Sequence, residues 1–219
     1  MKLPSGSSCP VLDQLPETLT VFPLPGVVLF PHWHLPLNIF EPRYLNMVDD
    51  AMAGNRLIGM IQSVGGDRQK PDLIGVGCAG RITSYSETDD GRYLITLAGI
   101  ARFRVLEELD VMTPYRQVRP NWAPYANDLK PDSVVGLPSR EDLVAALRKY
   151  VSSHDMKADW DAVEVAPVDA LVQALAAGSP FSVMEKQALL EAPTLRDRAD
   201  MLITILTMDS AGPDDGTLQ

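Results

Sequence analysis

Short apolar runs separated by turn residues occupy much of the first half of the chain. Runs of this length, when Gly and Pro bound them, are typical of β-strands. They lie at residues 19–24, 27–30, 35–40 and 57–64. A long hairpin is predicted over residues 72–109, because Asp89-Asp90-Gly91 is a turn signal between two β-rich flanks. Residues 111–120 are the last candidate strand.

Helical spacing appears once in the first half and dominates the last third. Pro42 and Gly54 suit the two ends of a helix with an apolar face at Tyr44, Met47, Val48 and Ala51. Four more helices are predicted, beginning near Ser139, Pro167, Ser182 and Thr194. The pattern predicts a flexible arm at 1–18, a β domain at 19–120, a linker at 121–138, a helical bundle at 139–208 and a flexible tail at 209–219.

Charge narrows the choice of partners. The 219 residues hold 19 Lys and Arg against 29 Asp and Glu, a formal net charge of −10. Such a balance disfavours nucleic acid and anionic membrane surfaces. The N-terminus lacks the apolar segment of a signal peptide, and no stretch reaches the roughly 18 apolar residues of a membrane span. With two cysteines, Cys9 and Cys78, we expect free thiols and a cytoplasmic protein.

Two short motifs invite a ligand interpretation that their surroundings do not support. Gly75-x-Gly77-x-x-Gly80 matches a dinucleotide fingerprint, but β-forming residues follow it where a helix is required. We therefore expect these glycines to allow close strand approach. His32-Trp33-His34 offers two imidazoles, but spacing supplies no third metal ligand, because His154 lies in the helical part. We expect no metal and no cofactor.

The sequence also lacks the common catalytic motifs. It has no G-x-S-x-G elbow, and the dipeptide Gly-Lys of the phosphate loop never occurs. Four arginines concentrate in the predicted hairpin, at positions 81, 92, 102 and 104. They suit either cross-strand pairing with Glu87, Glu107 and Glu108 or binding of RNA phosphates. Global acidity favours pairing.

Residues 22–52 resemble the N-terminal substrate-binding domain of the Lon protease family. The resemblance rests on Phe22-Pro23-Leu24, Leu29-Phe30-Pro31, Leu35-Pro36-Leu37 and Ile39-Phe40-Glu41-Pro42-Arg43-Tyr44. Weaker matches are Ile74-Gly75 to Ile82, Gly99-Ile100-Ala101-Arg102-Phe103 and the helical end. The resemblance implies an α+β protein, in which a PUA-like antiparallel β pseudo-barrel precedes an α-helical bundle.

The resemblance also implies a function. Lon proteases carry ATPase and peptidase domains after this region, whereas this chain ends at Gln219, so we expect a stand-alone domain that is not an enzyme. Its expected role is to bind unfolded or apolar polypeptide, as an adaptor in protein quality control that delivers clients to a protease or chaperone. An RNA- or small-ligand-binding PUA-like module is the alternative, and an enzyme with an unrecognised site at the barrel mouth is a third.

Four aromatic and imidazole side chains are the candidate peptide contacts: His32, Trp33, His34 and Tyr44. We expect them to line a groove between the two domains, since exposed aromatic rings give a large contact area at little entropic cost. The apolar residues of the motif, including Phe40, are expected to fill the core, and Arg43 is expected to clamp Glu41 or a loop carbonyl.

Overall fold

The computed structural model describes residues 12–66 and 70–209. The described residues leave out most of the predicted arm, including Cys9, and nearly all of the predicted tail. The chain divides into two compact units, Met1–Pro131 and Asp132–Gln219.

The described residues of the first unit form six strands and one α-helix. The strands are β1 (Leu19–Pro23), β2 (His34–Ile39), β3 (Leu57–Val64), β4 (Asp72–Glu87), β5 (Tyr93–Glu108) and β6 (Arg116–Asn121). Helix α1 covers Pro42–Ala53 and buries the four predicted residues of its apolar face. Two 3₁₀ helices, Leu12–Gln14 and Ala123–Leu129, lie before and after the strands.

The six strands form one mixed sheet in the order β2-β5-β4-β3-β1-β6. Strand β5 also pairs with β6, so each of β5, β4, β3, β1 and β6 pairs with the next strand and the last pairs with the first. Strand β2 lies outside this ring of paired strands and pairs with β5. The sheet is mostly antiparallel, as predicted, and one pair differs, because β1 runs parallel to β3. Parallel neighbours need a crossover connection, and the segment containing β2 and α1 supplies it.

Two of the three glycines of the motif, Gly77 and Gly80, allow close approach, as predicted. A Cβ atom on Gly77 would lie 2.5 Å from the carbonyl oxygen of Met60, and one on Gly80 would lie 2.6 Å from a methyl group of Leu29. Both distances are shorter than any normal contact. Gly77 and Gly80 of the Gly75-x-Gly77-x-x-Gly80 motif therefore serve close packing of β4, whereas a Cβ atom on Gly75 would meet no atom within 4 Å.

Two segments predicted as arm and linker are packed against the sheet. Leu15 belongs to a buried cluster with Leu19, Phe103 and Trp122, and the indole Nε1 of Trp122 donates to the carbonyl of Pro16 at 3.0 Å. The 3₁₀ helix Ala123–Leu129 contacts β5. The predicted boundaries at 18 and 121 are therefore wrong, because apolar side chains on both sides of them join the core of the first unit.

The second unit is helical. Its helices are α2 (Arg140–Ser153), α3 (Trp160–Val165), α4 (Val168–Gly178), α5 (Val183–Glu191) and α6 (Leu195–Asp209). Ser139 caps α2, and Ser182 with Glu185 forms the predicted capping box of α5. Helix α3 was not predicted, because six residues are too few to show helical spacing.

Candidate functional site

A cleft of about 840 Å³ opens in the first unit where several strands end. Its walls come from the end of β1, the junction of β2 with α1, the end of β3 and the connection between β5 and β6. Pockets of this size hold a small ligand or a few amino-acid side chains. The cleft is therefore the candidate functional site.

An aromatic stack forms one wall of the cleft. The ring centroids of Phe22 and Tyr44 are 4.4 Å apart, and the guanidinium carbon of Arg43 lies 4.5 Å from the centroid of the Tyr44 ring. Tyr44 is 6% exposed, and its burial raises the pKa of the phenol. Arg43 Nε donates to Glu41 Oε2 at 2.9 Å, which confirms the predicted clamp. The stack is a preformed apolar wall with a charged rim.

Exposed apolar side chains lie beside this stack. Phe40 is 62% exposed and Val64 is 41% exposed, although both line the cleft. The prediction that Phe40 fills the core is wrong. Ile39, the last residue of β2, points into the core, and successive side chains of an extended chain point to opposite sides. The alternation leaves the Phe40 ring at the cleft.

Most charged side chains that line the cleft form ion pairs with one another. Arg116 donates from Nε and Nη2 to the carboxylate of Glu108 at 2.8 and 2.6 Å, and from Nη1 to the carbonyl of Pro71 at 2.6 Å. Lys70 Nζ lies 3.6 Å from the same carboxylate. Hydrogen bonding from Arg116 holds the pKa of Glu108 below its usual value.

The lining as a whole has no excess charge. Its three basic side chains are matched by three acidic ones: Arg43, Lys70 and Arg116 against Glu41, Glu108 and Asp110. An anionic ligand would have to compete with these carboxylates for the arginines. The cleft is therefore suited to an uncharged, apolar group.

The other predicted contact residues lie elsewhere in the unit. His32, Trp33 and His34 do not line the cleft and stand at the opposite end of β2. His32 has φ of 61°, its backbone N–H donates to Gly99 O at 3.0 Å, and its Nε2 lies 2.9 Å from Lys130 O. Both histidines are exposed, and Trp33 is half-buried. Since six strand residues extend about 17 Å, Tyr44 does not share a compact site with them.

Arg102, one of the four hairpin arginines, is not part of an exposed basic surface. The backbone N–H, Nε and Nη2 of Arg102 donate to the carboxylate of Asp128 at 2.9, 2.8 and 2.7 Å, and Tyr125 lies below its guanidinium at 4.7 Å. The predicted pairing of the hairpin arginines with Glu107 and Glu108 is wrong, because these glutamates pair with Arg119 and Arg116. Buried in this way, Arg102 cannot contact RNA phosphates.

Within residues 12–66 and 70–209, no three His, Cys, Asp or Glu side chains are grouped to hold a metal ion. Among the helices of the same residues, none is both long and apolar enough to cross a membrane.

Sequence reasoning missed most of the cleft. Phe40 follows the buried residue Ile39 and could have been found by continuing the alternation of β2 past its last paired position. Val64 ends a strand whose other residues are all buried, so no alternation indicated its exposure. Glu108 and Arg116 come together only because β5 and β6 pair, which no local signal announces.

The chain belongs to the family of the ATP-dependent protease La (LON) substrate-binding domain, whose model matches residues 18–208. It is 26% identical over 193 residues to the Lon protease of Flavobacterium johnsoniae, covering 85% of this chain and 23% of that protein. With the Lon protease of Desulfosudis oleivorans it shares 34% identity over 107 residues, which are 47% of this chain and 13% of that protein. This chain thus spans a quarter or less of these curated relatives and matches the substrate-binding part of Lon rather than its protease part.

Two solved structures have the same fold. The Lon N-terminal domain protein from Xanthomonas campestris superposes with a TM-score of 0.59 at 23% identity, covering 85% of this chain and 97% of that one. The N-terminal domain of Mycobacterium avium complex Lon protease gives a TM-score of 0.55 at 14% identity, covering 88% and 98%. The α+β class predicted from the sequence is confirmed.

Proposed function

We propose that this protein binds unfolded or apolar polypeptide segments without catalysing a reaction, and that the cleft beside Tyr44 holds an apolar side chain of the bound segment. The observation that carries this proposal is Phe40, a large aromatic ring that is 62% exposed at the edge of a preformed apolar wall. A bound aliphatic or aromatic side chain would cover this ring and remove apolar surface from water.

The charges of the cleft support an uncharged segment over other ligands. Arg116 and Arg43 already hold carboxylates within 3 Å, so a phosphate or a carboxylate ligand would first have to displace Glu108 or Glu41. An apolar side chain needs no such displacement. The family's description as a substrate-binding domain also supports a polypeptide ligand.

His32, Trp33 and His34 remain proposed as a second contact region for the same polypeptide. The two imidazoles are exposed and the indole is half-buried, so a bound segment can reach all three. An adaptor role in protein quality control in the cytoplasm, with a protease or a chaperone receiving the client, is the wider proposal. Crosslinking in cells followed by mass spectrometry tests it, and finding no protease or chaperone among the crosslinked partners would contradict it.

Fluorescence anisotropy with a labelled, uncharged ten-residue peptide of alternating Thr and Val and one central Phe tests the cleft. We expect Phe40→Ala to weaken binding at least about ten-fold, because truncating a central aromatic contact costs more than about 1.4 kcal/mol. Leu106→Ala is the matched control, since Leu106 is 60% exposed but lies outside the cleft.

The control variant is expected to bind within about two-fold of the parent. Equal binding by the parent and Phe40→Ala would contradict the cleft as the site. A parent protein that fails to bind the peptide, and also fails to bind a reduced, carboxymethylated protein, would contradict the proposed function itself.

A further inference from the structure

Strand β2 has one free edge. In the described part of the chain it pairs with β5 alone, whereas β1, β3 and β4 have strands on both sides. An unpaired edge presents backbone N–H and C=O groups that can accept another extended chain. This edge is relevant here because β2 leads directly to Phe40 and the cleft.

The register of the β2–β5 pair shows which backbone groups face outward. Gly99 N–H donates to Trp33 O at 2.8 Å, so Trp33 faces β5. In an antiparallel pair this direction alternates from residue to residue. His34, Pro36 and Asn38 therefore turn their backbone groups away from β5, and the missing N–H of Pro36 agrees with that placement.

The outward edge can pair with a peptide. It offers the N–H groups of His34 and Asn38 and the carbonyls of His34, Pro36 and Asn38, and all three side chains are exposed. Pro36 removes one donor, which weakens pairing at the centre without closing the edge. Such an edge fits a transient ligand better than a permanent strand.

The edge is continuous with the cleft. Leu37, Asn38 and Phe40 all line it, so a chain extended along β2 would deliver its next residues there. The lining charges are balanced, which favours an uncharged segment over an acidic or basic one. The same path starts at His34, so it joins the two contact regions that are otherwise about 17 Å apart.

We propose that the polypeptide pairs with the outer edge of β2 at His34–Asn38 as an additional strand and places an apolar side chain in the cleft beside Phe40. This inference rests on the proposed function and adds the mode of recognition. The bound segment is extended and uncharged, and its backbone, rather than a particular sequence, supplies the pairing.

Proline substitution at Asn38 tests the pairing with the Thr/Val/Phe peptide. Asn38→Pro removes an outward N–H, and we expect it to weaken binding about five-fold relative to Asn38→Ala, which removes the side chain but keeps that donor. Pro36→Ala adds a donor to the same edge, and we expect it to bind about three-fold or more tightly than the parent. A contact made only by side chains would not produce this opposite pair of effects.

The peptide itself supplies a test that does not depend on how the variants fold. N-methylation at alternate positions is expected to abolish binding in one phase of the alternation and to leave it within about two-fold in the other, because only every second N–H faces β2. Equal loss, or no loss, in both phases would overturn the inference.

These experiments distinguish a failure of the β2 inference from a failure of the proposed function. If Phe40→Ala weakens binding while Asn38→Pro matches Asn38→Ala, the β2 inference is wrong and the cleft stands. If the parent binds neither the peptide nor the reduced, carboxymethylated protein, both the β2 inference and the proposed function are wrong. Light scattering shows whether a second copy of this protein, rather than a bound polypeptide, pairs with the β2 edge. If the parent were a dimer and Asn38→Pro were a monomer, the edge would serve self-association and the inference would be overturned.

Discussion

The buried ion pair between Arg102 and Asp128 is expected to contribute strongly to the stability of the first unit, and one substitution tests this contribution. Both side chains are almost fully enclosed, with 6% and 8% of their surfaces exposed. Asp128→Asn keeps the side-chain shape but removes the charge, and it turns an amide group toward a guanidinium that can only donate. The variant leaves a buried cation without its counterion.

The expected loss is about 3–5 kcal/mol in the free energy of unfolding, the range for breaking a buried pair from one side. Three hydrogen bonds converge on this one carboxylate, which supports a value within that range. With a urea dependence of about 2 kcal/mol per molar, the unfolding midpoint of the first unit should fall by about 1.5–2.5 M.

Tryptophan fluorescence measures this loss when Trp160, in the second unit, is replaced by Phe, because Trp33 and Trp122 then report on the first unit. Glu107→Gln is the control, since its pair with Arg119 is 49% and 57% exposed and is worth about 1 kcal/mol at most. If Asp128→Asn lowered the midpoint no more than this control, the argument from burial would be refuted.

Two further predictions concern the hairpin and the cleft. Gly77→Ala should lower stability by about 1–3 kcal/mol in thermal unfolding, because its Cβ would lie 2.5 Å from Met60 O. Gly75→Ala, with no atom within 4 Å of its added Cβ, should cost much less, and equal losses would contradict the packing argument. The pKa of Glu108 in the folded protein lies below its ordinary value of 4.5. The ionised carboxylate therefore stabilises the folded state fully at pH values above 4.5. This contribution is lost as the pH falls through the folded-state pKa. The stability difference between the parent and Glu108→Gln should therefore shrink in acid, and a difference that stayed constant down to full protonation would argue against it.

Local patterns predicted most elements well. The Pro42 start and the spacing of Tyr44, Met47, Val48 and Ala51 match α1 and its buried face. The Asp89-Asp90-Gly91 turn lies between β4 and β5, and Gly91 has φ of 77°. These features depend on neighbouring residues only, which is why periodicity and turn chemistry are sufficient to find them.

The errors arose where distant segments decide the outcome. The Pro- and Asn-rich surroundings of Asp128 predict a linker, yet its ion pair with Arg102 holds Asp128 in the core of the first unit. Phe40 was placed in the core because it is apolar, yet the end of β2 leaves it exposed. No local signal at Asp128 identifies Arg102 as its partner, whereas the alternation of β2 would have indicated the exposure of Phe40.

The amino-acid sequence by itself determined most of the strands and helices, the caps, the close approach at Gly77 and Gly80 and the resemblance to the Lon substrate-binding domain. The predicted strand at 27–30 is absent and α3 was missed. Only the tertiary structure decided that β1 runs parallel to β3, that β2 keeps a free edge and that Phe40, Tyr44 and Arg116 meet at one cleft. The physical reason is the range of the forces involved. Hydrophobic periodicity and backbone preference act within a few residues, whereas strand pairing and charge pairing select partners by distance in space.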